Sequence, residues 1–88
     1  MKAKDGFVLR SVVGEWMLMP TGDNFGTFHG TLVMNDLSAF IWEKLRTPTT
    51  RDALLKDILA EYEVDENTAG RDLDALLAEL KSNDLIEE

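Results

Sequence analysis

The sequence predicts an α+β fold, in which a small antiparallel sheet of three strands is followed by three helices. The apolar pattern changes at one point, Met34–Trp42, from the alternation that is typical of strands to the spacing that is typical of helices. A tight-turn signal at Val13-Gly14 joins two strand-like runs before that point. Because 44% of the 88 residues are hydrophobic, the chain can bury one core, and we expect a single domain over residues 1–88.

Three strands account for the first part of the chain. Phe7–Val12 and Glu15–Met19 are expected to form a hairpin, because Gly14 can adopt the positive φ that a tight turn requires. Pro20 has no amide hydrogen to donate, so it ends the second strand. Gly30–Met34 is the third strand, and we expect it at a sheet edge because only three strands are available.

The first helix is expected over about Asp36–Arg46, with Asn35 or Asp36 as its N-cap. Pro48 ends it, since the residue before a proline avoids helical backbone angles. Trp42 lies outside the apolar stripe of this helix, so it either covers the sheet or presents a contact surface.

Two further helices are expected over about Arg51–Tyr62 and about Glu66–Ser82, with Thr50 and Asp65 as their N-caps. The apolar residues of the third helix recur at helical spacing and form one core-facing stripe: Ala69, Leu73, Leu76 and Leu80. Leu77 sits beside this stripe.

The net charge of −8 lies entirely in the helical part of the chain. Residues 51–88 carry twelve acidic and four basic side chains, whereas residues 1–50 carry five of each. Because affinity for nucleic acid depends on basic contacts, we expect no nucleic-acid partner. The chain has neither an apolar run that could cross a membrane nor the pattern of a signal peptide at its N-terminus, so we expect no membrane partner and a cytoplasmic location.

No cluster of residues predicts catalysis, a metal or a cofactor. The chain has no cysteine, and its single histidine, His29, lies in a polar loop. The carboxylates of the last two helices lie between apolar stripe positions, without the spacing of a calcium loop. We therefore expect a binding protein rather than an enzyme.

The third strand and the third helix offer a candidate peptide-binding surface. An edge strand has unpaired amides and carbonyls, to which an extended peptide can add as a further strand. Gly70 inside a helix costs up to about 1 kcal/mol relative to Ala, so it is either simply tolerated or needed for the close approach of another chain. The candidate peptide-binding residues are Thr31, Leu32, Val33, Met34, Gly70, Arg71, Asp74, Leu77 and Lys81.

The order and spacing of several short motifs resemble the PqqD-like family, which is named for a protein of pyrroloquinoline quinone biosynthesis. The motifs are Arg10, Leu18-Met19-Pro20, Leu32, Asn35, Ala39–Leu45, Thr49-Thr50, Tyr62–Asp65, Leu80 and Leu85-Ile86. The resemblance covers nearly the whole chain. It implies a winged helix-turn-helix arrangement of the three strands and three helices.

The resemblance also implies a function as a recognition element for ribosomally synthesised and post-translationally modified peptides. Such domains bind the leader segment of a precursor peptide, which pairs with the third strand and packs against the third helix. They present the precursor to a modifying enzyme, often a radical S-adenosylmethionine enzyme. The leading hypothesis is therefore a non-catalytic, leader-binding adaptor in which Leu77 contacts an apolar leader residue, while Arg71 and Lys81 pair with leader carboxylates.

Two other classes of function stay open from the sequence. A winged-helix DNA-binding regulator would use the third helix in the major groove, although that helix is mostly acidic. A structural subunit of a biosynthetic complex would use the open strand edge for dimerisation. Either a monomer or a homodimer is compatible with the sequence.

Overall fold

The computed structural model describes residues 1–21 and 32–88. In chain order the elements are β1 (Lys2–Ala3), β2 (Phe7–Val12), β3 (Glu15–Pro20), β4 (Leu32–Met34), α1 (Asp36–Lys44), α2 (Arg51–Glu61), α3 (Glu66–Ser82) and β5 (Ile86–Glu87). They form two compact units: residues 4–43 form the sheet unit, and residues 1–3 with 44–88 form the helical unit. The predicted α+β class, with a three-stranded antiparallel sheet and three helices, is confirmed. The single domain over residues 1–88 stays a prediction.

The sheet unit contains the antiparallel sheet β2-β3-β4, with β3 in the centre. Val13 and Gly14 connect β2 to β3, and their φ values of 50° and 79° are both positive. Two residues with positive φ make a type I′ turn, whose twist matches that of the flanking strands. The predicted role of Gly14 is confirmed. Val13 adopts the same left-handed region although it is β-branched.

Helix α1 packs on the sheet within the same unit. Its N-cap is Asn35, whose side-chain Oδ1 accepts a hydrogen bond from the Ser38 amide at 2.8 Å. Trp42 is only 3% exposed, and its ring meets that of Phe7 edge-on with the centroids 6.4 Å apart. Trp42 is therefore a core residue. The helix ends at Lys44, two residues before the predicted end at about Arg46, and a turn follows it.

The helical unit is built on α2 and α3, which begin at the two predicted N-caps. Thr50 accepts a hydrogen bond from the Ala53 amide, and Asp65 accepts one from the Thr68 amide at 2.8 Å. The predicted core stripe of α3 is confirmed, and two neighbouring residues are buried with it. The buried residues of α3 are Ala69, Gly70, Leu73, Leu76, Leu77 and Leu80.

A second, two-stranded sheet joins β1 to β5 in the helical unit, with Lys2 opposite Glu87 and Ala3 opposite Ile86. After α3 the chain reverses at Asp84, which has a φ of 58°, and the Leu85 amide donates to the Leu80 carbonyl at 2.9 Å. The sequence does not predict these two short strands, which form a sheet separate from the predicted three-stranded one. Strands of two residues carry no periodic signal, and their pairing joins opposite ends of the sequence.

Replacing Val13 with Asn should stabilise the protein. Asn tolerates the left-handed region that a β-branched residue avoids, and Asn-Gly is a preferred type I′ pair, so we expect a gain of about 1 kcal/mol. Val13 is 98% exposed, so the substitution removes no buried contact. The free energy of unfolding from urea titration measures the effect.

Val13→Thr is the matched control, because Thr is polar but still β-branched. It should give no comparable gain. Equal stabilisation by Thr and Asn would show that the apolar side chain of Val13, and not backbone strain, lowers the stability of the wild-type turn.

Candidate functional site

Among the described strands, β4 lies at an edge of the three-stranded sheet, as the sequence predicts. Within residues 1–21 and 32–88 it pairs only with β3, with Leu18 opposite Leu32, Met17 opposite Val33 and Trp16 opposite Met34. An edge strand directs half of its backbone groups away from the sheet. The register therefore decides which residue of β4 has its amide and carbonyl on the open side.

The hairpin fixes which residues of β3 direct their backbone groups toward β4. In a two-residue type I′ hairpin the flanking residues, Val12 and Glu15, exchange both backbone hydrogen bonds, and bonded and non-bonded pairs then alternate along the ladder. The bond from the Thr21 amide to the Gly6 carbonyl, 2.8 Å long, falls at a bonded position of this series. Met17 and Met19 therefore point their backbone groups toward β2, whereas those of Trp16 and Leu18 point toward β4.

It follows that Leu32 and Met34 use their backbone groups to bind β3, and that Val33 does not. The amide and carbonyl of Val33 point to the open side of β4, where no group in the described part of the chain bonds to them. The Val33 side chain is 59% exposed. Within the described part of the chain, Val33 thus combines an unbonded backbone donor and acceptor with an exposed apolar side chain.

The other predicted residues of this strand have different surroundings. Met34 is buried and Leu32 is half-buried, on the opposite face of the sheet from Val33. Thr31 lies outside the described residues. On the face that carries Val33, the adjacent side chains across the sheet are those of Met17 and Arg10.

Three of the predicted residues on α3, namely Gly70, Arg71 and Asp74, come together in one shallow depression between α2 and α3. Four residues complete its lining: Arg51, Leu55, Glu66 and Asn67. Leu77 and Lys81 do not line this depression.

The side chain of Arg51 lies close to the backbone of Gly70. A Cβ atom added at Gly70 would lie 3.1 Å from Nη2 of Arg51, which is a tight contact. The sequence leaves open whether Gly70 is merely tolerated or needed for the approach of another chain. The structure gives a third reason, since the missing side chain leaves room for the Arg51 guanidinium.

Arg51 and Asp74 form a two-point ion pair across the depression. Nε of Arg51 donates to Oδ1 of Asp74 at 2.6 Å, and Nη2 donates to Oδ2 at 3.1 Å. The hydrogen bond from Arg51 lowers the pKa of the Asp74 carboxyl below its usual value, and the same bond raises the pKa of Arg51. Both groups are partly exposed to solvent, so the pair stabilises the fold only modestly.

Leu77 and Lys81 present less to a partner than the sequence suggests. Leu77 is only 7% exposed, because it packs inward beside the predicted core stripe. The Lys81 ammonium pairs with the Glu88 carboxylate, and this hydrogen bond lowers the pKa of Glu88. Arg71, by contrast, is exposed and has no ion pair within the described ranges.

Sequence reasoning missed Arg51 as a site residue and placed it only as the first residue of a helix. A signal was present, because the N-terminal turn of a helix carries partial positive charge and favours acidic residues. A basic residue directly after the Thr50 N-cap is therefore unfavourable locally. The tertiary contact with Asp74 compensates for this cost.

The described residues contain no group of side chains that could hold a metal ion. None of the helices in the described ranges is long and apolar enough to cross a membrane. The described residues present two surface features: an open strand edge in the sheet unit and a polar depression in the helical unit.

These features and the α+β architecture are those of a small protein with an open sheet edge in its described part. Comparison with known families is more specific: the model described as Coenzyme PQQ synthesis protein D (PqqD) matches residues 15–86. The chain belongs to the PqqD family, as its sequence motifs indicate. A search of curated protein sequences finds no match.

Two solved structures are similar to this chain over nearly its full length. The structure of TbiB1 in complex with the TbiA(beta) leader peptide has 26% sequence identity and a TM-score of 0.77, and the match covers 99% of this chain and 95% of that chain. The structure of a lasso peptide synthetase B1 complexed with the leader peptide has 22% identity and a TM-score of 0.75, and the match covers 99% and 96% of the two chains. At 22% identity, the similarity to the lasso peptide synthetase B1 shows only that the two chains share a fold.

Replacing Asp74 with Asn should make the stability less sensitive to acid. The folded-state pKa of Asp74 is depressed, so its contribution is fully present above the ordinary value of 3.8 and is lost as the pH falls through the lower folded value. The wild type should therefore lose more free energy of unfolding than the variant between about pH 7 and about pH 2.5. Urea titrations at both pH values measure the difference.

Asp72→Asn is the matched control, since Asp72 is on the same helix and has no ion pair among the described residues. It should leave the acid dependence close to that of the wild type. If both variants reduced the pH dependence of the free energy of unfolding equally, net charge rather than the hydrogen bond to Arg51 would be its cause.

Proposed function

We propose that this chain is a non-catalytic adaptor that binds the leader segment of a ribosomally synthesised precursor peptide and presents it to a modifying enzyme. The observation that carries the proposal is the backbone of Val33 on the edge of β4, which has no partner among residues 1–21 and 32–88. Membership of the PqqD family supports it. So does the likeness to TbiB1, whose solved structure contains a leader peptide.

The proposed mechanism is strand addition. A leader in extended conformation places one residue opposite Val33 and exchanges two backbone hydrogen bonds with it. This pairing does not disturb β4, because the β3–β4 ladder uses the backbone groups of Leu32 and Met34 instead. Backbone pairing supplies affinity that is independent of the leader sequence.

Side chains next to the added strand would supply the specificity. The leader residue opposite Val33 projects on the same face as Val33, and Met17 is the next residue across the sheet. Cross-strand pairs of apolar or β-branched side chains are favourable by roughly 0.2–1 kcal/mol. We therefore expect an apolar or β-branched leader residue at this position.

The exposed side of α3 is proposed as a second contact for the leader. Arg71 and Lys81 are its exposed cations, and Lys81 would exchange Glu88 for a leader carboxylate. Leu77 would contribute only the small exposed part of its side chain, and Gly70 and Asp74 would contact the leader beside Arg71. Thr31 completes the proposed peptide-binding set on the strand side.

A radical S-adenosylmethionine enzyme is the proposed modifying partner, with the reaction itself catalysed by that enzyme. The charge on α3 argues against the winged-helix DNA-binding alternative, because four carboxylates outnumber the two cations on this helix: Glu66, Asp72, Asp74 and Glu79 against Arg71 and Lys81. Self-pairing of the β4 edge, as in a dimerisation subunit, is the other outcome that the following experiment can reveal.

Val33→Pro should weaken binding of the cognate precursor peptide by about tenfold, because it removes the amide that faces the added strand and costs roughly one hydrogen bond. Fluorescence anisotropy with a labelled leader measures the affinity. Circular dichroism checks that the variant is folded, which we expect because the Val33 amide is not used by β3.

Ser11→Pro is the matched control. By the same alternation, the Ser11 amide points to the open side of β2, at the opposite edge of the sheet. This variant should bind the leader like the wild type. Equal losses in both variants, or a wild-type protein that dimerises through β4 and ignores the leader in light scattering, would refute strand addition at β4.

A further inference from the structure

The depression between α2 and α3 contains more hydrogen-bond donors than acceptors. Arg51 has five N–H groups, of which Asp74 takes one from Nε and one from Nη2. The nearest other carboxylate oxygen, on Asp52, is 4.0 Å from Nη1 and so lies beyond hydrogen-bonding distance. Three donors of Arg51 therefore have no close carboxylate partner among the described residues.

Arg71 adds a second guanidinium to the same depression, and no ion pair in the described ranges engages it. Both oxygens of Asp74 already accept hydrogen bonds from Arg51. Glu66 is then the one lining carboxylate that is not engaged by an arginine among the described residues. The arginine donors that no carboxylate engages favour a ligand that supplies acceptors.

Asp74 also fixes the orientation of Arg51. The two-point contact holds the plane of the guanidinium, so the edge formed by Nη1 and the second hydrogen of Nη2 has a defined direction. Gly70 leaves the space in which this group lies. A guanidinium that is held in advance loses little side-chain entropy when it binds a second carboxylate.

We propose that this depression is a receptor for one carboxylate side chain, a glutamate or aspartate of an extended peptide, held between Arg71 and the unused edge of Arg51. The depression is shallow and lined by few residues, which suits a single side chain. The inference rests on the proposed function only in naming the leader as the peptide that carries the carboxylate. It assigns Arg51 a binding role and Asp74 a positioning role.

The test uses the full chain, labelled with ¹⁵N, and probes that do not depend on the identity of the leader. Acetyl-Glu-Glu-amide should shift the amides of residues 66–74 and the Nε–H of Arg51, whereas acetyl-Gln-Gln-amide should not. Inorganic phosphate at equal ionic strength should shift them less than the glutamate peptide. Similar shifts with all three probes would overturn the proposal.

Arg71→Gln should weaken the binding of acetyl-Glu-Glu-amide by about fivefold, which is the upper range for a partly exposed ion pair. Lys56→Gln is the matched control, because it removes the same charge from an exposed site on α2 outside the depression. It should change the affinity by less than about twofold. Equal losses in the two variants would mean that only net charge matters, and the proposed receptor would be wrong.

The two proposals fail in different ways. If the leader does not bind but the glutamate peptide shifts residues 66–74, the adaptor function is wrong and the carboxylate receptor stands. If the leader binds in a manner that depends on Val33 but the glutamate peptide causes no shift, the receptor is wrong and strand addition stands.

Discussion

The alternation of backbone hydrogen bonds across β2, β3 and β4 is the constraint on which the proposed function depends. The type I′ turn at Val13-Gly14 sets the phase of that alternation, and the bond between Thr21 and Gly6 continues it to the far end of the hairpin. Shifting the register by one residue would exchange the bonded and non-bonded positions of β4. The phase set by this turn, together with the β3–β4 register, therefore leaves the amide and carbonyl of Val33 without a partner among the described residues.

Helix α3 combines a structural role with the proposed binding role. One face supplies much of the core of the helical unit, and the buried residue Leu77 widens that face beyond the stripe that the sequence predicts. The side near α2 contributes to the polar depression with Gly70, Arg71 and Asp74. Gly70 is buried yet borders the depression, and a Cβ atom there would lie 3.1 Å from the Arg51 guanidinium.

The sequence was sufficient wherever the signal is local. N-caps such as Thr50 and Asp65 act on amides three residues away, and the hairpin turn needs only Gly14 and the strands beside it, so these elements were predicted correctly. The end of α1 was predicted two residues too late, since helix ends are set by small energy differences. The edge position of β4 followed from counting strands.

What the sequence by itself determined is the α+β class, the central helices and strands, the PqqD family and the candidate strand edge. Only the tertiary structure decided that Val33 is the β4 residue with outward backbone groups, that β1 pairs with β5, and that Arg51 reaches Asp74. The physical reason is the same in each case. Periodicity and capping are interactions between near neighbours, whereas ladder phase, pairing of short strands and ion pairs between helices depend on residues that folding brings together from distant parts of the chain.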